Sequence, residues 1–233
     1  MLGVNDNFTF LTIGHRGCAG LEPENTLRGV KRAIEAGCGM VEVDVHLVDG
    51  ELVVIHDSTV DRTTNGVGRV DSYTLENLRR LDAGKGEKVP LIEEVLALCL
   101  GKAAVNIELK GANCVKPLIE MMENRKGPEV LVSSFDWDQL SQYKVMEPSG
   151  CVAVLVDRAK QIEKALQLAE ELDAYSLNPS MRILSRNLVQ QVHGSGRKVF
   201  PFTVREVADF LELREAGADG CFVDDPNMVI SRL

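Results

Sequence analysis

I-G-H-R-G at residues 13–17, P-E-N-T at 23–26, V-E-V-D-V at 41–45 and V-I-H-D at 54–57 set the pattern for the chain. An apolar run near 9–13 ends at His15 and Arg16. An amphipathic stretch near 24–36 follows, and a second apolar run covers 40–47. That is a strand, a helix and a strand. Outward from this unit the alternation continues. Further strand-like runs lie near 103–109, 129–133, 151–156, 173–177, 197–202 and 219–223. Amphipathic stretches lie near 92–100, 113–125, 136–145, 159–171, 185–193 and 205–215, with a short piece near 226–232. Eight strands, each followed by a helix, predict an α/β fold, the (β/α)8 TIM barrel. A doubly wound open sheet is the second reading, but no G-x-G-x-x-G opens a helix. The 233 residues are expected to form one barrel domain over 1–233.

Residues 48–90 interrupt the alternation. They read as a hairpin, a short helix capped by Ser72 or Thr74, and a polar run from Asp82 to Lys88. This predicts a short insertion after the second strand, on the face where barrel active sites form.

The composition is that of an ordinary soluble globular protein, 45% hydrophobic and 26% charged. The net charge of −9 argues against nucleic acid as a partner, because that binding depends on a basic surface. An anionic small substrate stays compatible if a metal and a few basic groups supply local positive charge. Cys18, Cys38, Cys99, Cys114, Cys151 and Cys221 form no C-x-x-C pair and read as buried free thiols of a reducing cytosol. The N-terminus lacks the basic region and apolar run of a signal peptide, and no stretch reaches the length of a membrane span. A cytoplasmic protein without a membrane anchor is expected.

In Val41-Glu42-Val43-Asp44-Val45-His46 polar residues alternate with valines, so Glu42, Asp44 and His46 share one strand face. Carboxylates so close repel unless a cation lies between them. Oxygen donors favour a hard ion such as Mg²⁺ or Ca²⁺, with Mn²⁺ a third choice. A solvated strand face is the competing reading, weakened because barrel strands are buried on both sides. His46 is expected at the rim and not as a ligand. Asn106, Glu108 and Lys110 alternate with Ile107 and Leu109, so Glu108 fits as a third carboxylate and Lys110 as a phosphate contact. A structural Glu–Lys pair is the alternative there.

His15 and Arg16 fall at the end of the first strand, between Gly14 and Gly17, which would let backbone approach a ligand closely. A histidine suits acid–base chemistry near neutral pH, and an arginine fork suits phosphate. His56 depends on hairpin register. A two-residue turn turns it away from the carboxylates, and a three-residue loop closed by Gly50 brings it to them. The glycine favours the three-residue loop. Capping alone would account for Pro23-Glu24-Asn25-Thr26 at the start of the first helix.

H-R-G at 15–17, P-E-N-T at 23–26, E-x-D at 42–44, H-D at 56–57, N-I-E-L-K at 106–110, S-S-F-D at 133–136 and G-C-F-V-D-D-P at 220–226 together resemble the glycerophosphodiester phosphodiesterase family over nearly the whole chain. The resemblance implies a (β/α)8 barrel with an insertion after the second strand. It implies His15 and His56 as the acid–base pair and Glu42, Asp44 and Glu108 as ligands of a divalent metal ion. It implies Arg16 and Lys110 as phosphate contacts. The expected reaction is metal-dependent hydrolysis of a small glycerophosphodiester to an alcohol and sn-glycerol 3-phosphate. Three departures bear on substrate preference: a short stretch at 83–90, Phe202-Thr203-Val204-Arg205 where relatives often carry Trp-Thr-Val-Asn, and Val223 where Thr is usual. A phospholipase-type phosphodiesterase acting on lysophospholipids is the alternative; Phe135, Trp137 and Phe202 are candidates for its apolar rim, although Phe135 and Trp137 fit helix-start packing better. A phosphate-binding protein without catalysis would lack an acid, a base or a ligand, and none is lacking.

Overall fold

The structure, a computed structural model, describes residues 10–123 and 127–233. Eight parallel strands form a nearly closed barrel: β1 (Leu11–Gly14), β2 (Met40–Val48), β4 (Ala104–Leu109), β5 (Val130–Ser134), β6 (Cys151–Val156), β7 (Ser176–Pro179), β8 (Lys198–Val199) and β9 (Gly220–Val223). The remaining strand, β3 (Glu51–Val54), pairs antiparallel with β2. Helices follow the barrel strands at Leu27–Glu35, Ile92–Cys99, Val115–Met122, Trp137–Met146, Ile162–Glu171, Arg186–Gly194, Val207–Ala216 and Pro226–Ile230. The barrel closes between β8 and β9 without a ladder. Val204 donates to the Phe222 carbonyl at 2.8 Å, and Phe222 donates to the Pro201 carbonyl at 3.0 Å.

Each strand alternates between two cores. Val41, Val43 and Val45 point outward into the layer shared with the helices, together with Val105, Ile107 and Leu109. The inward residues Leu11, Ile13, Met40, Ala104, Leu131, Ala153, Phe200 and Phe222 fill the barrel floor. Two residues further along the same strands the inward positions turn polar: Glu42, Asp44, Asn106, Glu108 and Ser133, all buried. The ladders align them, with Glu42 beside Asn106, Asp44 beside Glu108 and Glu108 beside Ser133.

Two strands differ from expectation for local reasons. The fifth barrel helix, Ile162–Glu171, is followed by Asp173, which adopts φ 46° and donates to the Glu170 carbonyl, so β7 starts at Ser176 rather than near 173. β8 stops at Val199 rather than continuing to 202, and Pro201 just beyond has no N–H for a ladder. The expected first strand began at residue 9, and the expected helix at 113–125 reached residue 125; both ends lie outside the described residues.

The insertion has its own small core of Val48, Val53, Ile55, Val60, Val70, Leu78, Ala83 and Val89. The short helix Leu75–Leu78 is capped by Thr74, whose hydroxyl accepts from the Asn77 N–H at 3.3 Å. The hairpin register is the two-residue one, contrary to the expected three-residue loop. Val48 pairs with Glu51 and Val45 with Val54. Asp49 and Gly50 both take positive φ, 51° and 85°. A tight hairpin whose twist matches its strands needs two left-handed residues, and an aspartate tolerates that conformation.

All six cysteines are free, and all but the half-buried Cys151 are buried. No helix among the described residues is long and apolar enough to cross a membrane.

Candidate active site

Glu42, Asp44 and Glu108 meet at the C-terminal end of the barrel, each offering a carboxylate oxygen within 4.8 Å of the others. Burial, and then the charges of Asp44 and Glu108, pushes the Glu42 carboxyl well above the usual carboxylate range. Burial and Asp44 push Glu108 the same way, against the pull of Lys110. One oxygen of Glu42, Oε1, is buried without a hydrogen-bond partner. A buried, unsatisfied carboxylate oxygen beside two more carboxylates fits a divalent cation, and the all-oxygen donor set suits a hard one.

The remaining oxygens are held in place. Glu42 Oε2 accepts from the Arg16 N–H at 2.6 Å. Asp44 Oδ2 accepts from Asn25 Nδ2 at 2.8 Å, and the Asp44 N–H donates back to Asn25 Oδ1 at 3.2 Å. Capping therefore explains only part of Pro23-Glu24-Asn25-Thr26. Thr26 caps the helix Leu27–Glu35 by accepting from Gly29 at 3.1 Å, whereas Asn25 fixes a carboxylate of the site.

His15 and Arg16 leave β1 at its C-terminal end, where the His15 N–H donates to the Val223 carbonyl. A Cβ on Gly14 would lie 2.3 Å from the Gly17 carbonyl oxygen, and one on Gly17 would lie 2.7 Å from the Gly29 backbone. The two glycines thus allow tight backbone packing around the His-Arg pair. Arg16 itself has φ 49°, a left-handed conformation that its hydrogen bond to Glu42 helps to hold. Its Nη1 donates to Glu24 at 2.8 Å, and its Nε lies 3.6 Å from Asp44. Burial opposes its charge, but Asp44, Glu24 and Glu42 together raise its pKa.

Lys110 reaches Glu108 at 2.5 Å and Asp44 at 3.7 Å, and its ammonium lies 5.3 Å from the centre of the Phe135 ring. The Glu–Lys pair and a place beside the acidic cluster are therefore both realised.

His56 comes to this site although the register is not the expected one. Pairing in β3 stops at Val54, Ile55 makes one more hydrogen bond to the Asp44 carbonyl, and the chain then bends at His56. The ring lies within the field of Asp44, Lys110 and Arg16; burial lowers its pKa, and Asp44 and Asp57 oppose that. His46 stays outside the acidic cluster, half-buried, with Nε2 3.1 Å from the His56 carbonyl oxygen.

Besides Asn25, the side chains of Asp224, Asp57, Arg62 and Glu24 join the site without a signal in strand periodicity. His15 Nδ1 pairs with Asp224 at 2.5 Å, and His56 Nδ1 pairs with Asp57 at 2.6 Å. Asp224 resists the upward push of burial and is lowered by the hydrogen bond from His15. Asp57 is lowered chiefly by Arg62, whose fork also binds Glu24. Asp57 and Asp224 stand inside the motifs H-D and G-C-F-V-D-D-P, and the closure of the barrel beside β1 is what gives Asp224 its role. A small cavity of about 20 Å³ is lined by His15, Glu42, Glu108, Phe135, Phe202 and Phe222. Larger hollows, about 310 and 300 Å³, lie elsewhere around Met122 and Pro128 and contain neither histidine nor the acidic cluster. Trp137 is not at a rim: its indole N–H donates to the Leu155 carbonyl at 3.0 Å.

The arrangement joins a carboxylate cluster that could hold a cation with two histidines, each paired with a carboxylate, and two basic side chains in contact with the cluster. The glycerophosphoryl diester phosphodiesterase family model matches residues 15–228. A glycerophosphodiester phosphodiesterase of Caldanaerobacter subterraneus subsp. tengcongensis is 39% identical over 95% of this chain and 96% of its own. One from Bacillus altitudinis is 33% identical over 93% and 95%. An Oleispira antarctica phosphodiesterase, solved with the product sn-glycerol-3-phosphate, superposes with a TM-score of 0.87 at 28% identity, covering 95% of both chains. By sequence, fold and the joint presence of these motifs, the chain belongs to the glycerophosphoryl diester phosphodiesterase family.

Proposed function

We propose that the protein hydrolyses small glycerophosphodiesters to an alcohol and sn-glycerol 3-phosphate with a divalent ion held by Glu42, Asp44 and Glu108. The observation that carries this reading is the convergence of that carboxylate cluster with two histidines whose Nδ1 atoms are each tied to a carboxylate. When bound, the ion neutralises charge on the phosphoryl oxygens. Mg²⁺, Ca²⁺ and Mn²⁺ all suit the oxygen donors.

The protein's own groups do the rest. Arg16 offers a guanidinium, and Lys110 an ammonium, to the non-bridging oxygens, where such charges stabilise the transition state. Asp224 and Asp57 occupy Nδ1 of His15 and His56, which leaves Nε2 of each ring to exchange a proton with substrate. One ring accepts the proton of the nucleophile, water or the glycerol 2-hydroxyl, and the other protonates the leaving alkoxide. The six free thiols support work in a reducing compartment such as the cytoplasm.

The test is product analysis with glycerophosphocholine, glycerophosphoethanolamine and micellar lysophosphatidylcholine. Release of sn-glycerol 3-phosphate from the soluble diesters, with little turnover of the micellar lipid, is expected. Preferential release of lysophosphatidic acid from micelles would replace this reading with the phospholipase one.

A further inference from the structure

Arg62 belongs to the insertion, and its guanidinium grips two carboxylates at once. Nε and Nη2 donate to Asp57 at 2.6 and 3.1 Å. Nη1 and Nη2 donate to Glu24 at 2.7 and 2.8 Å. Asp57 is the partner of His56 Nδ1, and Glu24 is the partner of Arg16 Nη1. The result is an unbroken chain of charge-assisted hydrogen bonds, His56–Asp57–Arg62–Glu24–Arg16. Its two ends come from different parts of the molecule. Arg16 rides on the exit of β1, and His56 on the exit of the hairpin strand β3.

We propose that Arg62 is a positioning residue that fixes His56 and Arg16 relative to each other, so that the insertion is a working part of the site and not only a wall. This rests on the roles given above to His56 and Arg16. Arg62 is 48% exposed, and ion pairs that water can reach contribute little to stability. What the fork supplies is geometry. Two bidentate carboxylate contacts specify direction as well as distance. A lysine ammonium is a point charge and cannot hold both carboxylates in the plane of a fork. Without Arg62, Asp57 and Glu24 lose their shared donor, and the His56 ring and Arg16 guanidinium they hold gain freedom. Loss of alignment between reacting groups by about an ångström costs on the order of 10²-fold in rate.

The experiment compares R62A and R62K with the wild type in the metal-replete enzyme, with sn-glycerol 3-phosphate release giving kcat and KM for glycerophosphocholine. A thermal melt checks that each variant is folded. R62A should lower kcat by about 10²-fold and raise KM, following the cost of misalignment. R62K should recover only a small part of the loss. In an H56A background the further loss in kcat caused by R62A should shrink, because Arg62 acts partly through His56. A second readout does not depend on turnover: ¹⁵N-histidine NMR, with His56 assigned by its disappearance in H56A. The His56 ring resonances should move in R62A and in R62K, while those of His193, on the opposite side of the barrel sequence, stay in place. Wild-type kinetics in folded R62A, full rescue by R62K, or unmoved His56 resonances would overturn the proposal. A wild type that releases no sn-glycerol 3-phosphate, but whose His56 resonances move in R62A, would uphold the positioning and remove the assigned reaction instead.

Discussion

The floor and the top of the barrel lumen are made by the same strands, one side-chain alternation apart. Met40 gives way to Glu42 and Asp44, Ala104 to Asn106 and Glu108, and Leu131 to Ser133. A step of two residues is under 7 Å along a strand. Over that distance the lumen passes from a dry cluster of Ile13, Met40, Leu131, Phe200 and Phe222 to carboxylates that burial pushes toward protonation. Because all eight strands run parallel, every polar end arrives on one face. The floor stabilises the fold and is silent in the chemistry. The top opposes folding unless its charges are compensated, and the proposed chemistry rests on it.

Substitutions at the two levels should therefore separate activity from stability. The largest effect on activity is expected at the histidines. His15→Ala and His56→Ala should each lower turnover by about 10²–10⁴-fold, the usual loss for a positioned acid or base. Their melting temperatures and metal affinities should change little. The double variant should lose far less than the product of the two, since paired groups act as a unit. Wild-type turnover in either single variant would remove that ring from the mechanism.

Leu131→Ala, in the floor, should do the reverse. Urea unfolding should report a loss of about 2–5 kcal/mol, as for other buried large-to-Ala changes. Turnover per folded molecule should stay close to wild type. A floor substitution that lowered turnover without lowering stability would break the division between the two levels.

The pH dependence of stability in the chelated protein sharpens the same comparison. Glu42 and Glu108 have folded pKa values above the unfolded glutamate value, so between the two the folded state binds more protons. The contribution of these two groups to stability must then fall as pH rises from the ordinary glutamate range through the raised folded values, while the lowered His46 and His56 contribute with the opposite sign. Glu42→Gln should flatten that slope, whereas Leu131→Ala should shift the whole profile downward without changing its shape. A Glu42→Gln profile that falls as steeply with pH as that of the chelated wild type would contradict the burial argument.

The smallest effect is expected at His46. Its Nε2 meets the His56 carbonyl, not the acidic cluster, and a glutamine keeps an N–H donor there. His46→Gln should retain most activity and bind metal as the wild type does. Loss of metal affinity in a titration of that variant would place the ring in the coordination sphere.

The alternation of valines with Glu42 and Asp44, and of Asn106 and Glu108 with Ile107, made the fold and the acidic cluster legible, because strand periodicity puts such residues on one face. His15 and Arg16 were legible as strand-end residues. Gly50 alone does not determine the hairpin register. Asp49 also takes a left-handed conformation, and together they make the tighter turn. His56 still lies within the field of Asp44, since the ladder ends at Val54 and the chain bends beyond it. The carboxylate partners were hidden for a different reason. Asp224 lies 209 residues from His15, and Arg62 lies 38 from Glu24, so only the closed barrel and the folded insertion bring them together, whereas Asp57 is next to His56 and only the bend there turns the two side chains to each other.

The central claim is that the upper lumen works as a metal-dependent phosphodiesterase site. Its most direct test is sn-glycerol 3-phosphate release from glycerophosphocholine by protein stripped with EDTA and shown by elemental analysis to be metal-free, before and after addition of Mg²⁺, Ca²⁺ or Mn²⁺. The account predicts no turnover in the stripped protein, recovery with at least one of these ions, and no recovery in Glu42→Gln. Full turnover by the metal-free wild type would contradict it.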